Sequence, residues 1–225
     1  MIEPAASRFW IPPHTADADG LVGVGGDLKP ATLLRAYSEG VFPWFSEGDP
    51  ILWWSPDPRA VIDLDELHVS RSLARTIRSV RFRTTVNEAF GEVVRGCATR
   101  EDDETWITPD MIAAYETLHR AGLAHSVEAW VPTETGGWQL GGGIYGVAVG
   151  AFFAGESMFY RVTDGSKVAI VALVERLRTR GFELFDVQMR TEHTTRLGGK
   201  DIRRAEYLTR LRSAVRNRDV RFADG

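Results

Sequence analysis

The 225-residue sequence predicts a mixed α and β (α+β) fold in which a small N-terminal lobe precedes a larger domain. Helical and strand periodicities alternate through most of the chain. The opening is instead interrupted by proline, and that break sets the lobe at residues 1–58 and the main domain at 59–225. No internal repeat or low-complexity tract divides the remainder.

In chain order, PATLLRAYSEG predicts the first helix, with Pro30 at its start and Gly40 at its end. From Phe42 to Ala60, FPWFSEGDPILWWSPDPRA holds three tryptophans, two phenylalanines and four prolines in nineteen residues. Those prolines break any register that would turn the rings toward one interior, so an aromatic platform and a core both remain open. Further helices are predicted at about 66–79, 86–97, 109–122, 166–180 and 203–216. Strands are predicted at about 81–85, 126–131, 137–149, 151–160 and 183–188, and the last nine residues, NRDVRFADG, read as a polar tail.

Composition bounds the function. With 44% hydrophobic and 26% charged residues, the chain can bury a core as a globular protein does. The N-terminus has no basic start followed by an apolar run, and no stretch approaches the roughly 18 apolar residues of a membrane span. A cytoplasmic protein with no membrane partner is expected, with a monomer as the default state. Cys97 is the only cysteine, which excludes an internal disulfide and argues against a structural zinc; a small buried hydrophobe in the helix NEAFGEVVRGCA is expected.

The net charge of −4 is unevenly spread. VSRSLARTIRSVRFR, residues 69–83, carries five arginines and no acid. Arg71, Arg75 and Arg78 follow helical spacing, so they line one face while Leu73 and Ile77 pin the other. Such a face suits phosphates, although a solvated face balanced by the acidic run EDDE at 101–104, itself read as a solvated loop, explains the charge equally.

Several motifs fail in context. GGGIYG at 141–146 satisfies G-x-G-x-x-G, but a strand-like run follows it rather than a helix, so a turn or bulge where strands or a ligand approach closely is expected. HTADAD at His14 lacks a second ligand cluster, and no nucleophile elbow is present. Two strands look more purposeful. In ELFDVQM, alternation puts Leu184, Asp186 and Gln188 on one face, opposite Phe185 and Val187. In GAFFAGESMFY, Glu156 lies in an otherwise apolar strand and needs a partner, a cationic ligand or a raised pKa. A structural ion pair accounts for either acid alone; together they point to a site.

WWSPDPRAV, HVSRS, TWIT at Thr105–Thr108, YGVAVGAFFAGESMF, the helix start Ser166-Lys167 and FDVQ occur in that order, and the chain from about Gly25 to Tyr207 resembles the leucyl/phenylalanyl-tRNA protein transferases. The resemblance implies a main domain like the GCN5-related N-acyltransferases (GNAT-like), with a mixed, mostly antiparallel sheet flanked by helices. It implies transfer of leucine or phenylalanine, and of methionine more slowly, from aminoacyl-tRNA to proteins with N-terminal arginine or lysine, which marks them for N-degron degradation. Neither coenzyme A nor metal is implied as a cofactor.

That chemistry needs no protein nucleophile, because the aminoacyl ester is already activated. By resemblance, Asp186 acts with or through Gln188 to deprotonate or orient the α-amine, with the ribose 2′-hydroxyl as an alternative shuttle. Glu156 lies near the acceptor, where it would favour a cationic N-terminus. Ile144, Phe153, Met158, Ile170, Leu173, Leu177 and Phe185 match the amino-acid pocket, although each also reads as ordinary core. Tyr37, Trp44 and Trp106 match the surroundings of the terminal adenosine, Trp53 and Trp54 the packing between lobes, and Arg71, Arg75 and Arg78 become candidates for the acceptor-stem backbone. Arg196 in HTTRLGG departs from the small residue expected there, and Ile144 stands where methionine would also serve. A coenzyme A-dependent acyltransferase and a non-catalytic RNA-binding module are the other readings, separated from the first by coenzyme A affinity and by turnover.

Overall fold

The computed structural model describes residues 2–17, 19–79, 81–99 and 105–223. The EDDE run therefore lies outside the described residues. Two sheets organise the chain. The smaller joins β1 (Leu21–Val24), β3 (Leu52–Trp54) and β2 (Phe42–Pro43), in that order and all antiparallel. The larger runs β10 (Lys200–Ile202), β4 (Arg59–Ile62), β9 (Leu184–Gln188), β8 (Phe152–Tyr160), β7 (Trp138–Val149), β6 (Ala124–Pro132) and β5 (Arg83–Val86). Its pairs are antiparallel except β8 with β9. Those two strands are connected through α5 (Gly165–Arg180), as a parallel pair requires a crossover.

Helices begin where the sequence provides caps. α1 (Pro30–Glu39) has proline in its first turn and ends at Gly40 with φ 81°, a left-handed conformation that glycine tolerates. α2 (Arg71–Arg78) starts later than expected because the Ser70 side chain accepts from the Leu73 N–H. α3 (Phe90–Ala98) also starts late, since Asn87 has φ 62° and its side chain accepts from the Ser126 N–H. α4 (Pro109–Arg120) is capped by Thr108, α6 (Glu192–Arg196) by a Thr191/Thr194 capping box, and α7 (Arg204–Arg216) follows β10.

Helices cover both faces of the larger sheet. One core cluster joins Trp10, Leu33 and Trp53 of the N-terminal region to Phe90, Met111, Tyr145 and Leu208. The other lies under α5 and holds Phe153, Ile170, Leu173, Leu177 and Phe185. The glycine run 141–146 lies inside β7, as its context indicated. A Cβ at Gly142 would come within 2.5 Å of the Gly165 carbonyl carbon, so its absence lets the start of α5 rest on the sheet. Cys97 is buried in α3.

Several expectations need correction. The proline-rich lobe contains three short strands, and β4 and β10 were not foreseen, because such short segments between prolines, glycines and loops offer little alternation to read. Leu73 is buried but Ile77 is 37% exposed, so only one residue pins the arginine helix. The C-terminal segment is no loose polar tail: Phe222 is 2% exposed and stacks on His125 and Phe153, with ring centroids 4.4 and 5.2 Å away. Phe222→Ala should cost about 3 kcal/mol in urea unfolding; a cost below about 0.5 kcal/mol would mean the segment contributes no packing.

Candidate active site

Two register shifts create the site. The parallel ladder between β8 and β9 stops at Ala154 opposite Asp186. Just beyond it, β7 pairs Tyr145 with Ser157 and then Gly146 with Gly155, so Glu156 is the extra, bulged residue. A Cβ at Gly146 would lie 2.1 Å from the Ala154 carbonyl oxygen, which is why glycine stands at this bend. On the other side, β4 pairs Ala60 with Gln188 and Val61 with Asp186, leaving Val187 as the extra residue. Bulges bend a strand and re-aim its side chains. Here they turn Glu156 and Gln188 toward each other, and Gln188 Nε2 donates to Glu156 Oε1 at 2.9 Å.

Glu156 is held from a second direction. Tyr115 donates its hydroxyl to Glu156 Oε2 at 2.7 Å, and the Tyr37 hydroxyl lies 2.5 Å from that of Tyr115. Burial raises the Glu156 pKa to about 7, with Asp186 adding to the rise, while the tyrosine hydrogen bonds and the Arg59 charge pull it down.

Asp186 occupies a different environment. It is 0% exposed, and Arg59 grips both carboxylate oxygens, Nε to Oδ1 at 2.9 Å and Nη2 to Oδ2 at 2.6 Å. Tyr207 donates to Oδ2 at 2.9 Å, and the Gln188 N–H donates to Oδ1 at 2.8 Å. Burial pulls the Arg59 pKa down, but the facing Asp186 and Tyr207 more than reverse this and hold it above the ordinary arginine value. The expected pair Asp186 and Gln188 is therefore adjacent, but the acid faces away from the open site. The carboxylate's acceptor positions are filled by Arg59, Tyr207 and the Gln188 N–H, so Asp186 presents no free oxygen to the open site.

In front of Glu156 two cavities of about 450 and 140 Å³ adjoin, sharing Trp106, Glu156, Val187, Met189 and Thr191. Ile144, Met158, Ser166 and His193 line the larger one; Phe42, Pro43, Trp44 and Gln188 line the smaller. The structure thus brings together Trp44, Trp106, Ile144, Met158, Glu156 and Gln188. Phe153, Ile170, Leu173, Leu177 and Phe185 are buried in the core cluster to which Ile144 also belongs, and they line neither cavity. Tyr37 is buried too, so the expectation of an adenosine platform is corrected: its ring has no open face, and its hydroxyl joins the Glu156 network. Trp44 is 40% exposed and meets Trp54 edge to face at 5.9 Å. Trp53 packs on Trp10 at 4.9 Å.

Arg71, Arg75 and Arg78 are exposed and have no ion-pair partner among the described residues. Thr76 of the same helix donates to Asp164 at 3.4 Å, two residues before Ser166 of the cavity wall, but no described residue of the helix lines either cavity. Arg196 pairs with Glu192 on the surface, 2.5 Å apart, and leaves the cavity rim alone. Arg59, Tyr115, Tyr207 and His193 were missed in the sequence. Tyr115 shares the inner face of α4 with Met111 and Leu118 and reads as core. An arginine opening the apolar run RAVI was the one available signal for Arg59.

Comparisons with known proteins identify the class. The chain is 53% identical over 212 residues to the leucyl/phenylalanyl-tRNA–protein transferase of Anaeromyxobacter sp. (strain K), covering 93% of this chain and 89% of the relative. It is 51% identical over 213 residues to that of Magnetococcus marinus, covering 94% and 91%. A solved structure, that of L-PGS from Bacillus licheniformis, is similar over 59% of this chain and 46% of its own at 13% identity, with a TM-score of 0.39, too distant to define the fold. The protein is an aminoacyltransferase. Family models for the leucyl/phenylalanyl-tRNA protein transferase and its N-terminal domain match residues 61–212 and 26–57, and the chain belongs to that family. No helix among the described residues is long and apolar enough to cross a membrane.

The raised Glu156 pKa has a consequence for stability. Between about pH 4.5 and about 7 this carboxyl is ionised in the unfolded chain but protonated in the folded one. The folded state then binds more protons, so its stability falls as pH rises through that window. The difference in unfolding free energy between wild type and Glu156→Gln should change with pH there by up to roughly 3 kcal/mol. A difference independent of pH would show that Glu156 titrates as an ordinary carboxyl.

Proposed function

We propose that this chain transfers leucine or phenylalanine, and methionine more slowly, from aminoacyl-tRNA to the α-amino group of proteins beginning with arginine or lysine. The products are marked for N-degron degradation. The carrying observation is the two-part cleft, with a single carboxylate among its lining residues, Glu156, where the parts meet. Ile144 and Met158 give the larger part apolar walls for the aminoacyl side chain, continuous with the core cluster behind them. Trp44 and Trp106 offer ring surface to the terminal adenosine, a contact worth about 1 to 3 kcal/mol per stacked base.

When Glu156 is ionised, above about pH 7, the cleft favours an acceptor carrying both an α-ammonium and a cationic side chain. Gln188 orients the acceptor, and Asp186 is a positioning residue behind it. The reaction needs no coenzyme A or metal, since the ester supplies the driving force and the amine is the nucleophile. We assign residues 1–58 to an aromatic N-terminal lobe and 59–225 to a GNAT-like transfer domain, working as a cytoplasmic monomer.

Incubation with tRNA charged with labelled leucine should pass label to a peptide beginning with arginine and not to one beginning with glycine. Absence of transfer by folded protein with authentic charged tRNA would reject the reading. Replacing Arg71, Arg75 and Arg78 together by alanine should weaken tRNA binding and reduce the slope of log Kd against log salt by about 2 to 3. An unchanged slope would remove this helix from the RNA interface.

A further inference from the structure

We propose that Glu156, rather than Asp186, is the base that takes the proton from the attacking α-ammonium, a role that rests on the transfer function proposed above. The two acids differ in what they can still accept. Asp186 is sealed, with two guanidinium contacts, a tyrosine hydroxyl and a backbone N–H on its two oxygens. Those four donors occupy the positions at which an ammonium proton would have to arrive. Gln188 offers no substitute, because a carboxamide neither gains nor loses a proton near neutrality, and its amide nitrogen already donates to Glu156.

Glu156 is 8% exposed and lines both cavities, at the point where an acceptor in one part would meet an ester in the other. The Tyr115 hydroxyl donates to one oxygen and the Gln188 amide to the other, with the Tyr37 hydroxyl in the same network, and all three groups are neutral. A carboxylate oxygen can accept a second hydrogen bond, so each retains room for an ammonium proton. The groups facing it are Tyr37 from α1, Tyr115 from α4, Tyr145 from β7, Asp186 and Gln188 from β9 and Arg59 from β4, with His193 across the cavity. Its pKa of about 7 lies just below the roughly 7.7 to 8.0 of a free α-amine, so proton transfer costs little in either direction.

The step balances without a further reactant. Glu156 takes one proton from the α-ammonium, and the freed lone pair forms the C–N bond at the ester carbonyl. Collapse of the tetrahedral intermediate breaks the C–O bond to ribose. The second nitrogen proton passes to the ribose oxygen, and the proton on Glu156 returns to solvent.

Single-turnover transfer to the arginine peptide, followed from pH 6 to 9, tests the assignment in wild type, Glu156→Gln and Tyr115→Phe. Glu156→Gln should lower the rate constant about 100-fold or more at pH 7, and the deficit should shrink above pH 8 as solvent deprotonates the amine. Tyr115→Phe removes a hydrogen bond that favours the carboxylate, so the acid limb of its profile should move to higher pH. A Glu156→Gln enzyme with a raised KM and an unchanged rate constant would overturn the proposal and leave Glu156 as a binding group. An unmoved acid limb in Tyr115→Phe would also overturn it, and decides alone if Glu156→Gln does not fold. Wild type that transfers nothing would instead reject the parent function, and the base with it.

Discussion

The guanidinium of Arg59 ties four elements of this molecule together. From β4 it grips Asp186 on β9 with two hydrogen bonds, reaches the Gly40 carbonyl oxygen at the end of α1 at 3.3 Å, and contacts the Tyr207 hydroxyl of α7 at 3.3 Å. Its carbon also lies 4.7 Å from the Phe42 ring centre and 4.6 Å from that of Tyr207. Both charges are out of water, which is tolerable only because donors and acceptors are matched around them. Removing one partner of such a pair typically costs about 3 to 5 kcal/mol, since a buried charge is left alone. The N-terminal region, the central sheet and the last helix therefore meet on one electrostatic contact.

That contact also shapes the cleft. Asp186 Oδ1 accepts the Gln188 N–H, which helps hold Gln188 at φ 62° and turns its amide toward Glu156. A non-glycine residue in this conformation is uncommon and survives where surroundings over-determine it. The bulges on β8 and β9 flank the end of their shared ladder. One acid is thereby neutralised by a permanent partner and the other is not. Two carboxylates near the same ladder end thus differ in their partners: a guanidinium grips one, and neutral donors hold the other beside the cleft.

Legibility in the sequence followed the length of the pattern. Long segments such as β7, β8, α5 and α7 were readable, because a dozen residues repeat a period several times. Of the strands of two to four residues, β5 was placed at about 81–85 but the others, including β4 that carries Arg59, were not. In the site, Glu156 stood out as an acid in an apolar run, and FDVQ placed Asp186 beside Gln188. Tyr115 did not stand out, because helical spacing makes a buried tyrosine look like core whatever its hydroxyl does.

The sequence alone determined the alternation of elements, the strand faces that set Asp186 opposite Phe185, and the family, since long unusual strings in fixed order carry more information than any short motif. Which carboxylate is sealed and which is open was decided only by tertiary structure. Arg59 and Asp186 are separated by 127 positions, and Tyr115 and Glu156 by 41. Proton affinity in a buried site depends on the charges and hydrogen bonds within a few ångströms, and local pattern along the chain does not reveal which distant side chains fill that space.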